Sequence, residues 1–326
     1  MALTEFSIIE RYFAQPAAMR DPDVVLGIGD DAALLHVPEG MELAVATDTL
    51  VEGVHFSPHT KPGDIGYKAL AVNLSDMAAM GAEPRWATLA LTLPQADESW
   101  LADFSAGFFA LASEYRIQLI GGDTTRGPLS ITVQILGLVP AGTALRRSGA
   151  HAGDLIYVTG TLGDAGLGLR VLQQPLELSA QHAAHVMQRL NRPQPRVTEG
   201  IALRGIASAA IDVSDGLGAD LGHILQASGA GARINLSTLP LSAAVADYVN
   251  HSGDWCMPLC AGDDYELCFT VPAQKCSALL DAMKSSPTGC THIGVIEAAP
   301  GLRCISASGE LITPRAGGYQ HFSSDE

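Results

Sequence analysis

Lysine is nearly missing from this chain: only Lys61, Lys68, Lys275 and Lys284 occur in 326 residues, against 35 Asp and Glu. The formal charge is −16. That balance excludes non-specific nucleic-acid binding, which needs a basic face. If phosphates are handled here, lysine does not neutralise them; cations held by carboxylates are the available substitute. Cysteine is absent before Cys256, and the six present include no Cys-x-x-Cys pair. This speaks against a zinc site and for reduced, mostly buried thiols. No Gly-x-x-x-x-Gly-Lys-[Ser/Thr] stretch occurs, so the chain is not a P-loop protein. Gly160, Gly163, Gly166 and Gly168 do not complete a dinucleotide fingerprint, and close helix–strand packing explains them better. No apolar run reaches the ~18 residues of a membrane span. Glu5 and Glu10 break up the N-terminal apolar residues, which argues against a signal peptide. The expectation is a cytoplasmic protein with neither membrane nor nucleic acid as partner.

What is present suffices for two cores. Residues are 47% hydrophobic and 17% charged, and the length exceeds one small domain. The segment 141–153 changes character, with Gly, Ala and the pair Arg146-Arg147, and sets the boundary: an N-terminal domain 1–145 and a C-terminal domain 146–326. Phe6, Ile9 and Phe13 predict one face of a short helix. Residues 42–47 read as a strand ending at Asp48. Pro62 opens a helix that Gly81 stops. Residues 86–93 alternate as a half-buried strand, with Ala87, Leu89, Leu91 and Leu93 on one side. A helix over 98–115 follows. Then a short strand over 117–120 runs into Gly121-Gly122-Asp123-Thr124, and Ile131, Val133, Ile135 and Val139 mark another strand. The second half alternates strand and helix. Each half is α/β or α+β, without a solenoid repeat.

Asp recurs beside Gly, Ser and Thr: Gly27-Ile28-Gly29-Asp30-Asp31, Thr47-Asp48-Thr49, Ser75-Asp76, Gly121-Gly122-Asp123, Asp212-Val213-Ser214-Asp215-Gly216 and Gly262-Asp263-Asp264. Most lie at predicted strand ends or in the turns beside them, where ligands bind in open α/β structures. Hard oxygen donors select Mg²⁺ or Ca²⁺, and Mg²⁺ usually takes one or two carboxylates plus phosphate oxygens and water. Each Asp taken singly is equally readable as a cap or turn residue, Asp215 most of all. Six such sites together point to metal-bridged phosphate chemistry. His55 reads either as a site residue or as a loop histidine held by a local hydrogen bond. Arg126 and Arg147 read as phosphate forks or as surface arginines.

These stretches resemble the thiamine-monophosphate kinase family, in colinear order over essentially the whole chain. The resemblance is carried by Gly27-Ile28-Gly29-Asp30-Asp31, Ala46-Thr47-Asp48-Thr49-Leu50-Val51-Glu52-Gly53-Val54-His55-Phe56, Asn73-Leu74-Ser75-Asp76-Met77-Ala78-Ala79-Met80-Gly81 and Gly121-Gly122-Asp123-Thr124. In the second half, Ile211-Asp212-Val213-Ser214-Asp215-Gly216-Leu217 and Gly262-Asp263-Asp264-Tyr265-Glu266-Leu267 carry it. The resemblance implies the two-domain fold of the aminoimidazole ribonucleotide synthetase superfamily. N-terminal sheets of two subunits would pair into a barrel in a homodimer, with a C-terminal α/β domain. It implies ATP as co-substrate, thiamine monophosphate as acceptor and several Mg²⁺ ions. Carried over by motif, Asp30, Asp31, Thr47, Asp48, Asp76, Asp123, Asp212 and Asp215 would hold metal, with Asp48, Asp76, Asp123 and Asp215 central to catalysis. Gly122, Asp123, Arg147 and Ser214 would contact ATP; His55, Asp263 and Tyr319 would line the thiamine side. Two positions depart from the family's pattern: Asp263 stands where relatives often have Glu, and Tyr319 where they often have Trp. The acceptor phosphate is already anionic, so the implied transfer needs positioning and charge neutralisation rather than a strong base. Within the superfamily, the missing N-terminal and C-terminal cysteines argue against selenophosphate synthetase and the hydrogenase-maturation enzyme. Aminoimidazole ribonucleotide synthetase and a non-catalytic sensor remain as alternatives.

Overall fold

The structure is a computed structural model that describes residues 4–14, 21–284, 286–312 and 318. It divides into two compact units, Met1–Met77 with Ala82–Gly142, and Ala78–Gly81 with Thr143–Glu326.

The first unit is built on a four-stranded sheet. Its elements are α1 (Glu5–Ile8), β1 (Val24–Leu26), β2 (Leu34–Leu35), β3 (Met41–Val51), α2 (Pro62–Ala79), β4 (Glu83–Leu93), α3 (Glu98–Glu114), β5 (Gln118–Arg126) and β6 (Ser130–Pro140). The strand order is β3-β6-β4-β5. The alternation in β4 and β6 sends Leu89, Leu91, Ile131, Val133 and Ile135 to one buried face. Helix α2 lies on that face: a Cβ on Gly137 of β6 would come within 2.8 Å of Met77 Sδ. Trp86, Ile120 and Leu138 form a separate cluster with Val24 and Leu35 of the β1–β2 pair.

Two strands run several residues past the ends the sequence predicts. β3 does not end at Asp48 but continues to Val51, because β6 pairs with it residue for residue from Met41↔Pro140 to Val51↔Ser130. β5 runs through Gly121-Gly122-Asp123 to Arg126, in parallel register with β4 after a shift between Ala87 and Thr88. Asp48 and Asp123 are therefore strand residues, fixed by ladder hydrogen bonds rather than carried on loops. The N-terminal segment also departs from a plain helix. After α1, residues Ile9–Phe13 wind as a π-turn, with the Ala14 N–H donating to the Ile9 carbonyl. Ile8 and Phe13 are buried, while Phe6 is 79% exposed.

The second unit carries β7 (Leu155–Thr159), α4 (Asp164–Gln173), α5 (Ala180–Asn191), α6 (Val197–Ala202), β8 (Ala209–Asp212), α7 (Leu217–Ser228), β9 (Gly231–Asn235), α8 (Ala243–Ser252), α9 (Cys256–Cys260), β10 (Leu267–Val271), α10 (Cys276–Met283), β11 (Cys290–Glu297), β12 (Gly301–Ile305) and β13 (Leu311–Ile312). Its seven strands run in the order β13-β12-β9-β11-β7-β10-β8. Every pairing is antiparallel except β12 with β9. The apolar stripe of α7 (Leu217, Leu221, Ile224, Leu225) packs with Ile156, Val158, Ile211 and Cys268 of the sheet. The glycines before and within α4 serve close packing, as the sequence suggests. A Cβ on Gly166 would lie 2.3 Å from the Ala261 Cβ, and one on Gly168 would lie 2.6 Å from the Val186 carbonyl of α5.

Candidate functional site

In the first unit the register acts as a ruler. Asp48 pairs with Val133, Val133 with Leu89, and Leu89 with Gly122, so the four stand in one row across the sheet. Asp48 and Gly122 are three strand spacings apart, about 14 Å. The acidic motifs of this unit therefore fall into two groups.

One group joins β3 to α2. Asp48 is hydrogen-bonded to the side chain of Asp76; burial pushes the Asp48 carboxyl above its ordinary value, and the bond to Asp76 pulls it back. Asp76 is the one position between Lys68 and Ala79 that is not buried. Two carboxyls brought together where water is partly excluded repel when ionised, and either a proton or a cation relieves that. Thr47 does not join them. Adjacent strand residues point to opposite faces, and Thr47 Oγ1 accepts from Gln134 Nε2 at 3.3 Å, beside a Thr49–Thr132 hydroxyl contact of 2.8 Å. His55 sits in the turn after β3. Its Nδ1 accepts from the Val51 N–H at 3.0 Å, which leaves the ring proton on Nε2, and its carbonyl accepts from Lys68 Nζ at 3.3 Å.

The other group lines a cavity of about 670 Å³. Asp30, Asp31, Gly122 and Asp123 share it with an apolar wall of Phe6, Ile9 and Phe13. The three residues that predict a helix face thus do lie together, along a cavity. Asp30 Oδ1 accepts the Asp31 N–H at 2.9 Å and shapes the turn, while Asp31 and Asp123 are exposed. Gly122 has φ 151°, and a Cβ there would sit 1.9 Å from the Leu89 carbonyl oxygen. Only glycine lets β5 approach β4 this closely beside the cavity. Gly122→Ala should part the two strands and cost about 1–3 kcal/mol of stability. A melting temperature equal to the parent's would contradict this.

In the second unit two motifs run side by side. β8 and β10 pair from Thr270↔Ala209 to Leu267↔Asp212. The pairing continues past both strands: the Tyr265 N–H donates to the Val213 carbonyl and the Asp263 N–H to the Ser214 carbonyl, each at 2.8 Å. Asp212, Ser214, Asp215 and Asp263 are brought together in this way. Gly216, at φ 108°, turns the chain into α7 against the Cys260 main chain. Gly216 is the N-cap of α7 and no side chain caps it, so Asp215 is not the capping residue that its sequence suggests. Asp220, which sequence reasoning passed over, holds the turn instead: its Oδ2 accepts the Asp215 N–H at 3.0 Å. Burial first, and Asp212 next, raise the Asp220 carboxyl to about 8. The spacing of Asp215 and Asp220 across a helix start is the signal that was available.

Asp263 and Tyr265 both adopt left-handed backbone, at φ 69° and 50°, and the Tyr265 hydroxyl donates to Asp263 Oδ1 at 3.0 Å. Between them Asp264 is buried, with Oδ2 accepting the Gly163 N–H at 2.7 Å. Its carboxyl is raised well above the usual range, chiefly by burial. Glu266, fully buried, is held by Arg189 and Arg196. Arg147 belongs to the same unit but is exposed, on the outer side of β8. The preceding Arg146 carbonyl accepts the Ala210 N–H at 2.9 Å, and the Arg147 carbonyl accepts from Ser228 Oγ at the far end of α7. Tyr319 lies outside the described residues; its neighbour Gly318 packs on the Asp215 carbonyl, where a Cβ would fall at 2.4 Å.

Among the described residues no group of three or more His, Cys, Asp or Glu is placed to hold a metal ion, and no helix is long and apolar enough to cross a membrane.

Two family models match, AIR synthase related protein N-terminal domain over residues 29–139 and the corresponding C-terminal domain over 151–306. A thiamine-monophosphate kinase of Salmonella typhimurium is 54% identical, covering 99% of this chain and all of its own. The crystal structure of thiamine-monophosphate kinase from Stenotrophomonas maltophilia superposes with a TM-score of 0.85 at 48% identity, over 96% of this chain and 99% of its own. AaThiL complexed with AMPPCP and TMP superposes at 0.75 with 32% identity, over 88% and 89%. With both domain models in order and relatives aligned from end to end, the chain belongs to the thiamine-monophosphate kinase family of the AIR synthase related proteins.

Proposed function

We propose that this chain phosphorylates thiamine monophosphate to thiamine diphosphate, with ATP as donor, by direct in-line transfer in a homodimer. The observation that carries the metal-assisted part of this reading is the Asp48–Asp76 pair: two carboxyls in hydrogen-bond contact, one pushed up by burial. A protein keeps such a pair at the cost of repulsion, and a divalent cation offsets it. The donors are all oxygen, which fits Mg²⁺ rather than a soft metal. Pairs of carboxylates, rather than closed cages, suit an ion that takes its other ligands from phosphate and water. The two separated groups in the first unit, Asp48 with Asp76 and Asp30, Asp31 with Asp123, support more than one ion.

Asp48 with Asp76, and Asp30 and Asp31 with Asp123, would hold Mg²⁺, which would supply charge neutralisation for the facing phosphates. The chain supplies position. Gly122, a strand residue without a side chain, lets phosphate approach the β5 backbone, and a cavity of about 670 Å³ has the size of a nucleotide pocket. Ser214 and Asp215 stand at the start of α7, where N–H groups favour an anion. Asp263 is the acceptor-side carboxylate. It reaches less far than the Glu of many relatives, and Tyr265 holds it in one orientation. His55 stands in the turn after β3, its ring oriented by the Val51 N–H that donates to Nδ1. β3 and β5 are the sheet's edge strands, and Leu43 and Val45 on β3 are 42% and 52% exposed, which suits pairing with a second copy.

The test incubates the protein with ATP, Mg²⁺ and either thiamine monophosphate or free thiamine. Diphosphate formed from the monophosphate alone supports the reading. Binding of both ligands without product would establish the sensor instead, and a trapped phosphoenzyme on the reaction path would overturn direct transfer. Tyr265→Phe should raise KM for thiamine monophosphate about 3–10-fold, the size of one lost hydrogen bond, with kcat nearly unchanged. A fallen kcat at constant KM would place Tyr265 elsewhere in the mechanism.

A further inference from the structure

Sequence spacing passes over Cys256 and Cys260, four apart and not the usual redox or zinc pair. In the fold they are the first and last residues of α9, with sulfurs 3.1 Å apart. Both are partly exposed, unlike Cys268 and Cys304, which are buried. Residues four apart on a helix have Cα atoms about 6 Å apart, inside the range a disulfide spans, so closing the bond moves the sulfurs about 1 Å. We propose that Cys256 and Cys260 form a two-electron oxidation site for peroxide, whose closure to a disulfide slows phosphoryl transfer by shifting the turns that carry Ser214 and Asp263.

The coupling is steric. The Cys260 main chain abuts Gly216, where an added Cβ would meet the Cys260 carbonyl carbon at 2.7 Å. On its other side Ala261 fills the space at Gly166, and Gly262 packs on the Ser214 carbonyl, where a Cβ would fall at 2.3 Å. A shift of Cys260 passes to Gly216 at the start of α7 and to Gly262 in the segment before β10, both in close contact. Burial, and then the Cys256 thiol, push the Cys260 thiol up to about 12, so the proposal starts the reaction at Cys256. The Cys256 sulfur takes one oxygen from peroxide as the O–O bond breaks, forming a sulfenic acid and releasing one water. The Cys260 sulfur then attacks the Cys256 sulfur. The S–O bond breaks and the oxygen leaves with the Cys260 proton as a second water. Two thiols and one peroxide give one disulfide and two waters, with two electrons passing to peroxide.

The experiment treats the whole protein with hydrogen peroxide, alkylates remaining thiols, and maps the peptide that holds both residues by mass spectrometry. It measures turnover in parallel. The expected result is a peptide lighter by two hydrogens and closed to alkylation, turnover down roughly tenfold, and both reversed by dithiothreitol. Cys256→Ser and Cys260→Ser should keep basal turnover and lose the response. Alkylation of both cysteines after peroxide, a bridge to another cysteine, or a mapped bridge with unchanged turnover would each overturn the proposal. Reversal by dithiothreitol in the unmutated protein keeps the test valid if a serine variant fails to fold.

Discussion

Asp48→Asn is expected to cut phosphoryl transfer by about 10²–10⁴-fold while leaving the fold at least as stable as before. The two effects come from one contact. Asp48 faces the helix side of the sheet and bonds to Asp76, with burial raising its carboxyl. In the metal-free protein Asp48 carries a cost, since burial disfavours its charged form and the bond to Asp76 offsets this only in part. Asparagine keeps the size and one acceptor while removing the charge, so the melting temperature without Mg²⁺ should be unchanged or higher. On the proposed reading the same removal takes one carboxylate from the cation site, and transfer loses charge neutralisation where two phosphates meet. More Mg²⁺ should be needed to reach the reduced rate. A variant that melts well below the parent, or that keeps its turnover per folded molecule, would show that the pair serves structure and not metal.

Glu266→Ala is expected to destabilise the second unit by about 3–5 kcal/mol. Glu266 Oε1 accepts from Arg189 Nη2 and Arg196 Nη2, and Oε2 from Arg196 Nε, all at 2.6 Å; Thr159 Oγ1 donates to Oε2 at 2.7 Å. The carboxylate is fully buried, and the two arginine side chains are only 11% and 9% exposed. Alanine would leave two guanidinium groups facing each other without their anion, and little water reaches them. A Cβ on Gly160 would lie 2.2 Å from Glu266 Oε1, so the strand is shaped to admit this carboxylate. At this size of domain the loss corresponds to a fall in melting temperature of roughly 10 °C. Because Tyr265 and Asp263 lie just upstream, KM for thiamine monophosphate should rise as well. A melting temperature within about a degree of the parent would show that the network contributes nothing net.

The sequence alone determined the class of chemistry. Four lysines, a large negative charge and six Asp-bearing motifs point to phosphate handling that does not rely on lysine. The order of the motifs pointed to the family that the full-length relatives then established. The regular elements were legible where one face is apolar, as in β4 and α2, because period-2 and period-3.6 burial write themselves into the residues. Strand ends were not legible. Thr-Asp-Thr and Gly-Gly-Asp look like turns, and only cross-strand register carries β3 through Asp48 and β5 through Asp123. Pairing partners distant in sequence leave no local mark.

The tertiary structure alone decided which acidic residues act together. Asp48 meets Asp76 and not its neighbour Thr47; Asp30, Asp31 and Asp123 share a cavity; Asp220, not Asp215, secures the turn before α7. In Gly262-Asp263-Asp264-Tyr265-Glu266 the three acids look alike as letters. Only Asp263 is left partly exposed, while Asp264 and Glu266 are buried against Gly163 and two arginines. A carboxylate's role depends on how much water surrounds it and what charge stands within a few ångströms. Both are set by residues far away along the chain, so composition could name the chemistry but only the fold could assign it.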